Sequence, residues 1–226
     1  MDYRKFRFSK LKTDEFRHLW LLLFWPVFGI LFQLTERVFV VDEYHPVSSV
    51  LDAYIPFEEV FVIPYMFWFL YLVGIHIYTL FYDVVLFRRL MGFIILTYSV
   101  TLVIYWIYPT CQHLRPTEFE RDNCLVRFIQ NFYLFDTNTN VCPSIHVIGS
   151  VAVWAAGWNS QRLRSVWWKV GFTVTTILIS LSTVFLKQHS IVDVFAAIPL
   201  CMAAYWICFG RKNTVRHRAV GEAADL

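Results

Sequence analysis

The chain has 226 residues, of which 58% are hydrophobic and 19% aromatic, with a formal net charge of +3. A mean hydropathy of +0.50 is too apolar for an ordinary soluble domain and leaves no room for one of useful size. The basic residues are spread along the chain rather than gathered into a nucleic-acid face, and there is no Gly-rich phosphate loop, dinucleotide fingerprint or zinc signature.

The first 18 residues open with Tyr3-Arg4-Lys5-Phe6-Arg7-Phe8. That mixture suits a segment lying on lipid headgroups, with a solvated tail as the alternative. No small-residue cleavage site follows the first apolar run, so a cleaved signal peptide is not expected. A spanning helix needs about 20 mostly apolar residues. Six runs qualify: 19–41, 60–82, 91–108, 143–158, 166–186 and 190–209. The expected fold is an all-α polytopic membrane protein, with a six-transmembrane-helix bundle over 19–209. A cytoplasmic interfacial segment precedes it at 1–18, and a cytoplasmic polar tail follows at 210–226. Pro26 and Pro64 are expected to kink the first two spans. His76 lies deep in the second, where a lone histidine is expected to be packed and hydrogen-bonded. Cys201 and Cys208 read as packing residues of the sixth.

Two loops are expected on the outer side. The first, 42–59, carries five acidic residues and the breakers Pro46 and Pro56, and reads as an amphipathic surface turn without chemistry. The second, 109–140, is too long for a mere connector and ends in the turn formers Asp136-Thr137-Asn138-Thr139-Asn140. Cys111, Cys124 and Cys142 lie in or beside it. A disulfide between two of them fits a loop facing an oxidising compartment.

Orientation follows from Lys and Arg in the loops. With the N-terminus in the cytoplasm, six basic residues between Arg4 and Arg17 lie inside. Arg88 and Arg89, three between Arg162 and Lys169 and four between Arg211 and Arg218 join them, making 15 of the 20. Both termini are then cytoplasmic, and three polar motifs meet on the outer face. Arg115 comes from the second outer loop, Ser144 and His146 from the start of the fourth span, and Lys187, His189 and Asp193 from the fifth-to-sixth turn.

His189 and Asp193 are four apart and share a helix face. A carboxylate there holds one ring nitrogen protonated and frees the other to act. The alternative is a helix-capping aspartate. In Cys142-Pro143-Ser144-Ile145-His146 the proline fits the first helical turn, whose free N–H groups make an anion site. Ser144 adds a hydroxyl and His146 a proton, the alternative being a plain N-cap and a packed histidine. Arg115 and Lys187 add positive charge. Together these residues suit phosphoryl transfer through a phosphohistidine. A two-histidine, one-carboxylate metal site at His146, His189 and Asp193 is the rival, and the two cations speak against it.

At these residues the chain resembles the type 2 phosphatidic acid phosphatase superfamily of membrane phosphatases and phosphotransferases. The family pattern is Lys-x6-Arg-Pro, then Pro-Ser-x-His or Pro-Ser-x-x-His, then Ser-Arg-x5-His-x3-Asp. Arg115-Pro116 matches the first part, Pro143-Ser144-Ile145-His146 the second, and Ser182, His189 and Asp193 the third, so the likeness covers 108–193. The resemblance implies His189 as nucleophile, oriented by Asp193, with His146 protonating the leaving group. It also implies that Arg115, Ser144 and helix amides hold the phosphoryl oxygens, with no metal or cofactor required. Two family cations are missing, because the chain has Tyr108 and Thr183 in their places; Lys187 is expected to replace one.

The implied activity is hydrolysis of a lipid phosphate or diphosphate at the outer leaflet, with phosphatidic acid, phosphatidylglycerol phosphate or a polyprenyl diphosphate as substrate. The expected setting is a bacterial inner membrane. Headgroup transfer to an alcohol acceptor, as in the sphingolipid synthase branch, is the second reading. A transporter or scaffold is the third, although no internal repeat supports it.

Overall fold

The computed structural model describes Tyr3 and residues 7–210. The expected polar tail lies outside the described residues apart from Gly210, as do 1–2 and 4–6 of the N-terminal segment. Among these residues seven α-helices run in order: α1 (Phe24–Arg37), α2 (Val62–Tyr82), α3 (Val84–Ile107), α4 (Cys124–Phe135), α5 (Ile145–Asn159), α6 (Val166–Phe185) and α7 (Ile191–Phe209). A 3-10 stretch, Arg17–Leu23, leads into α1. The all-α expectation holds. Among the described residues, five helical segments are long and apolar enough to cross a membrane: Arg17–Arg37, Glu59–Tyr82, Val84–Ile107, Val166–Phe185 and Ile191–Phe209. The fourth expected span, 143–158, is α5, which has 15 residues and at about 1.5 Å per residue falls short of a hydrocarbon core.

α5 is the axis of the bundle and packs against α2, α3, α6 and α7. Its buried face is built from small residues, among them Gly149, Ser150, Ala152, Ala155, Ala156 and Gly157. Small side chains let helices approach where lipid offers little hydrophobic drive. A Cβ on Gly149 would stand 2.7 Å from the Tyr98 hydroxyl, and one on Gly157 2.6 Å from the Phe172 ring. Neither glycine has room for a side chain.

Several boundaries differ from expectation for local reasons. α3 starts seven residues before 91 because Asp83 caps it, its Oδ1 accepting from Leu86 N at 2.9 Å. Pro26 and Pro64 both fall in the first turn of their α-helices, where no N–H is needed, so they start helices rather than kink them. α4 occupies part of the expected second loop. Asn123 caps it through Leu125 N and Val126 N, and its buried residues are Val126 and Ile129.

The two ends of the bundle are built differently. At one end Tyr3 reaches Leu80 O at 2.6 Å, Arg88 reaches Asp14 O, and Phe16 and His18 are buried. At the other end the loops 38–61 and 108–144 close over the N-termini of α5 and α7. A two-residue parallel pairing of β1 (His45–Pro46) with β2 (Thr110–Cys111) pins those loops together. Cys111, Cys124 and Cys142 are free thiols.

Candidate active site

The site is assembled around the first turn of α7. Ser190 is its N-cap, and Asp193 completes a capping box by accepting from Ser190 N at 3.0 Å. The same Asp193 oxygen, Oδ2, accepts from His189 Nδ1 at 3.0 Å. Asp193 is fully buried and lies in the positive field of the helix start, where a carboxylate is favoured. Holding the proton on Nδ1 leaves the His189 Nε2 lone pair free. Asp52, from the first loop, closes the same turn from outside. It accepts from Ser190 Oγ at 2.6 Å, Ile191 N at 2.9 Å and Ser49 N at 2.7 Å.

His189 and His146 line one cavity of about 280 Å³, their ring centres 5.7 Å apart and steeply inclined. His146 is wedged between the Tyr65 and Trp68 rings, each at 4.6 Å, and its Nδ1 has no protein partner. An imidazole nucleophile with its orienting carboxylate thus faces a second imidazole able to give or take a proton.

The remaining expected residues fall elsewhere. Ser144 is the N-cap of α5, but it is fully buried, its hydroxyl has no partner, and it is not part of the cavity wall. Pro143 precedes this cap rather than opening the helix, and the Cys142–Pro143 peptide is cis. Arg115 does not reach the cavity. Its guanidinium is held by the carbonyls of Tyr133, Asp136 and Thr137 and by Gln188 Oε1, and it lies over the Tyr133 ring. Burial lowers its affinity for the proton, and nearby Asp136 opposes this. Lys187 also turns away. Its ammonium donates to Asp52 O at 2.8 Å and to Ile55 O, so it ties the first loop down instead of replacing a missing cation. At the positions of the two family cations, Tyr108 stacks on His45 and Thr183 is buried against Ser180 O.

Sequence reasoning missed the rest of the cavity wall, which includes Glu36, Asp136, Asn140 and Gln188. Glu36 accepts from Thr137 and Thr139 hydroxyls and from Asn140 Nδ2, drawing the end of the second loop over the cavity. A buried acid inside the first apolar run was the available signal. Among the described residues no group of three or more His, Cys, Asp or Glu is arranged to hold a metal ion. Asp193 bonds to the His189 ring itself. No family model, curated protein or solved structure matches the chain.

Proposed function

We propose that the chain is a six-span integral-membrane enzyme that breaks a P–O bond of a lipid phosphate ester through a phosphohistidine on His189. The observation that carries this reading is the meeting on one cavity of His146 and of His189, which Asp193 holds from behind. His189 Nε2 attacks phosphorus, and Asp193 balances the charge that develops on the ring. His146 gives its proton to the leaving oxygen. It then takes one from the water or alcohol that attacks the N–P bond. The likeness to the type 2 phosphatidic acid phosphatase superfamily assigns the same three roles.

A lipid substrate is supported by the ground around the cavity. A shallow groove along α1 shares Phe32, Gln33 and Arg37 with it and continues to Pro26 and Phe28, a path for a hydrocarbon tail. In this reading α5 is the sixth crossing, shielded from lipid by its four neighbours, and the loop-covered end faces away from the cytoplasm. Hydrolysis and headgroup transfer use the same two histidines, and an acceptor-dependent lipid product separates them.

The test is a trapping experiment on purified protein in detergent with radiolabelled lipid phosphates. We expect an acid-labile, base-stable label on the wild type and none on His189→Ala. A well-folded wild type that takes no label, or a labelled His189→Ala, would sink the assignment.

A further inference from the structure

The cavity holds fewer cations than a phosphomonoester needs and more carboxylates than it tolerates. Arg115 is held by three backbone carbonyls and Gln188 Oε1, only its Nε being without a partner, and Lys187 by two backbone carbonyls. The cation on the cavity wall is Arg37, an exposed residue that donates to Phe135 O. Against it stand Glu36, 7% exposed, and the half-buried Asp136. A dianionic phosphate would meet like charge on this wall.

Two unpartnered amide atoms show what fits. Gln188 is 3% exposed and lines the cavity beside His189. Its Oε1 accepts from Arg115, which fixes the amide and leaves Nε2 as a donor without a partner. Asn140 is 5% exposed and lines the acidic side. Its Nδ2 donates to Glu36 Oε1 at 2.7 Å, which leaves Oδ1 as an acceptor without a partner. Buried polar atoms without partners cost free energy until a ligand supplies them. The cavity wall therefore carries a donor without an acceptor at Gln188 and an acceptor without a donor at Asn140. Phe32, Trp68, Tyr105, Phe132 and Phe135 also line it, and aromatic faces favour a cation held near carboxylates.

We propose that the cavity binds a phosphodiester lipid whose headgroup carries an ammonium, with the phosphoryl oxygens toward Gln188 and His189 and the ammonium against Glu36, Asp136 and Asn140. This rests on the phosphohistidine reading of His189 and narrows its substrate class. The chemistry balances without a further reactant. His189 Nε2 forms the N–P bond as the P–O bond to diacylglycerol breaks, and the departing oxygen takes a proton from His146. The headgroup phosphate is left on His189. Water or an acceptor hydroxyl then attacks phosphorus, its proton passes to His146, and the N–P bond breaks.

The test measures diacylglycerol release and His189 labelling by the full chain in mixed micelles. The lipids are phosphatidylethanolamine, phosphatidylcholine, phosphatidylglycerol and phosphatidic acid. We expect kcat/KM about tenfold or more higher for the two ammonium diesters. Asp136→Asn should raise KM for them about tenfold without raising KM for phosphatidylglycerol, which has no ammonium to lose its partner. Glu36→Gln, which keeps its acceptor oxygen, should act in the same direction. A faster ethanolamine lipid would place the Asn140 acceptor first, and a faster choline lipid the aromatic wall; either supports the proposal. Preference for phosphatidic acid, equal turnover of phosphatidylglycerol, or selectivity unmoved in both variants would overturn it while leaving the phosphohistidine intact. No His189 label from any lipid would overturn both.

Discussion

The middle of the bundle and its loop-covered end satisfy their polar groups in opposite ways. In the middle, many short polar side chains bond within their own helix, and those that cross, such as Tyr71 and Trp154, reach only a neighbouring helix. Thr79 donates to Ile75 O at 2.7 Å, Thr97 to Phe93 O at 2.8 Å, and His76 Nδ1 lies 2.7 Å from Leu72 O, all four residues apart. At the loop-covered end the partners come from remote parts of the chain. Asp52 and Ser190 are 138 residues apart, Glu36 and Asn140 104, Arg115 and Gln188 73. Local bonds make helices that can form before they meet. Remote bonds exist only when the whole bundle has closed, so the site is complete only in the native state.

Asp193→Asn tests the comparison where the effect should be largest. Asparagine can still accept from Ser190 N, so the cap survives. The His189 ring loses the carboxylate that holds its proton on Nδ1, and turnover should fall by about 10³–10⁴ in kcat with little change in KM. A fall of less than tenfold would show that Asp193 is a cap and nothing more.

The spans were legible because a bilayer imposes length, and length can be counted. Their ends were less legible, because hydropathy ignores caps. Arg88 and Arg89 masked the start of α3, and the mixed composition of 124–135 hid α4 although its apolar residues recur at helical spacing. His146, His189 and Asp193 were legible because their spacing is local and each lies at a helix start. Arg115 and Lys187 were placed wrongly for one reason: a long cationic side chain beside a motif goes to whichever buried carbonyls lack donors. Glu36 was visible as an acid inside an apolar run. Asp52, Asp136, Asn140 and Gln188 were not, since their roles depend on partners that sequence proximity does not reveal.

Asp52→Ala and Thr79→Val compare the two regions directly. Asp52 ends three hydrogen bonds that begin on another part of the chain or on its own turn. Its loss leaves Ser190 and Ile191 unpaired at a buried helix start and should cost about 2–4 kcal/mol. Thr79→Val removes a bond back to its own helix and should cost about 1 kcal/mol or less. Thermal unfolding in one detergent ranks the pair, and equal costs would erase the distinction between the two ends. Lys187→Ala should fall between them, at about 1–2 kcal/mol. Because its ammonium ties down the first loop, KM for the lipid should stay near the wild-type value. A sharp rise in KM would restore Lys187 to the phosphate.

The smallest expected effect is one of pH. Burial raises the Asp136 carboxyl above its ordinary value, and Arg115 only partly opposes this. The folded chain therefore keeps this proton to higher pH than the unfolded chain does. The contribution of Asp136 to stability is full below the unfolded pKa and is lost as pH rises through the folded one. Asparagine has no proton to lose. The melting temperature of Asp136→Asn relative to wild type should therefore climb as pH rises from the ordinary carboxylate range through the raised value. A flat difference would mean that folding does not take this carboxyl out of water. A bound ammonium would oppose the burial, so an ethanolamine or choline lipid should flatten the climb, whereas phosphatidylglycerol should leave it in place.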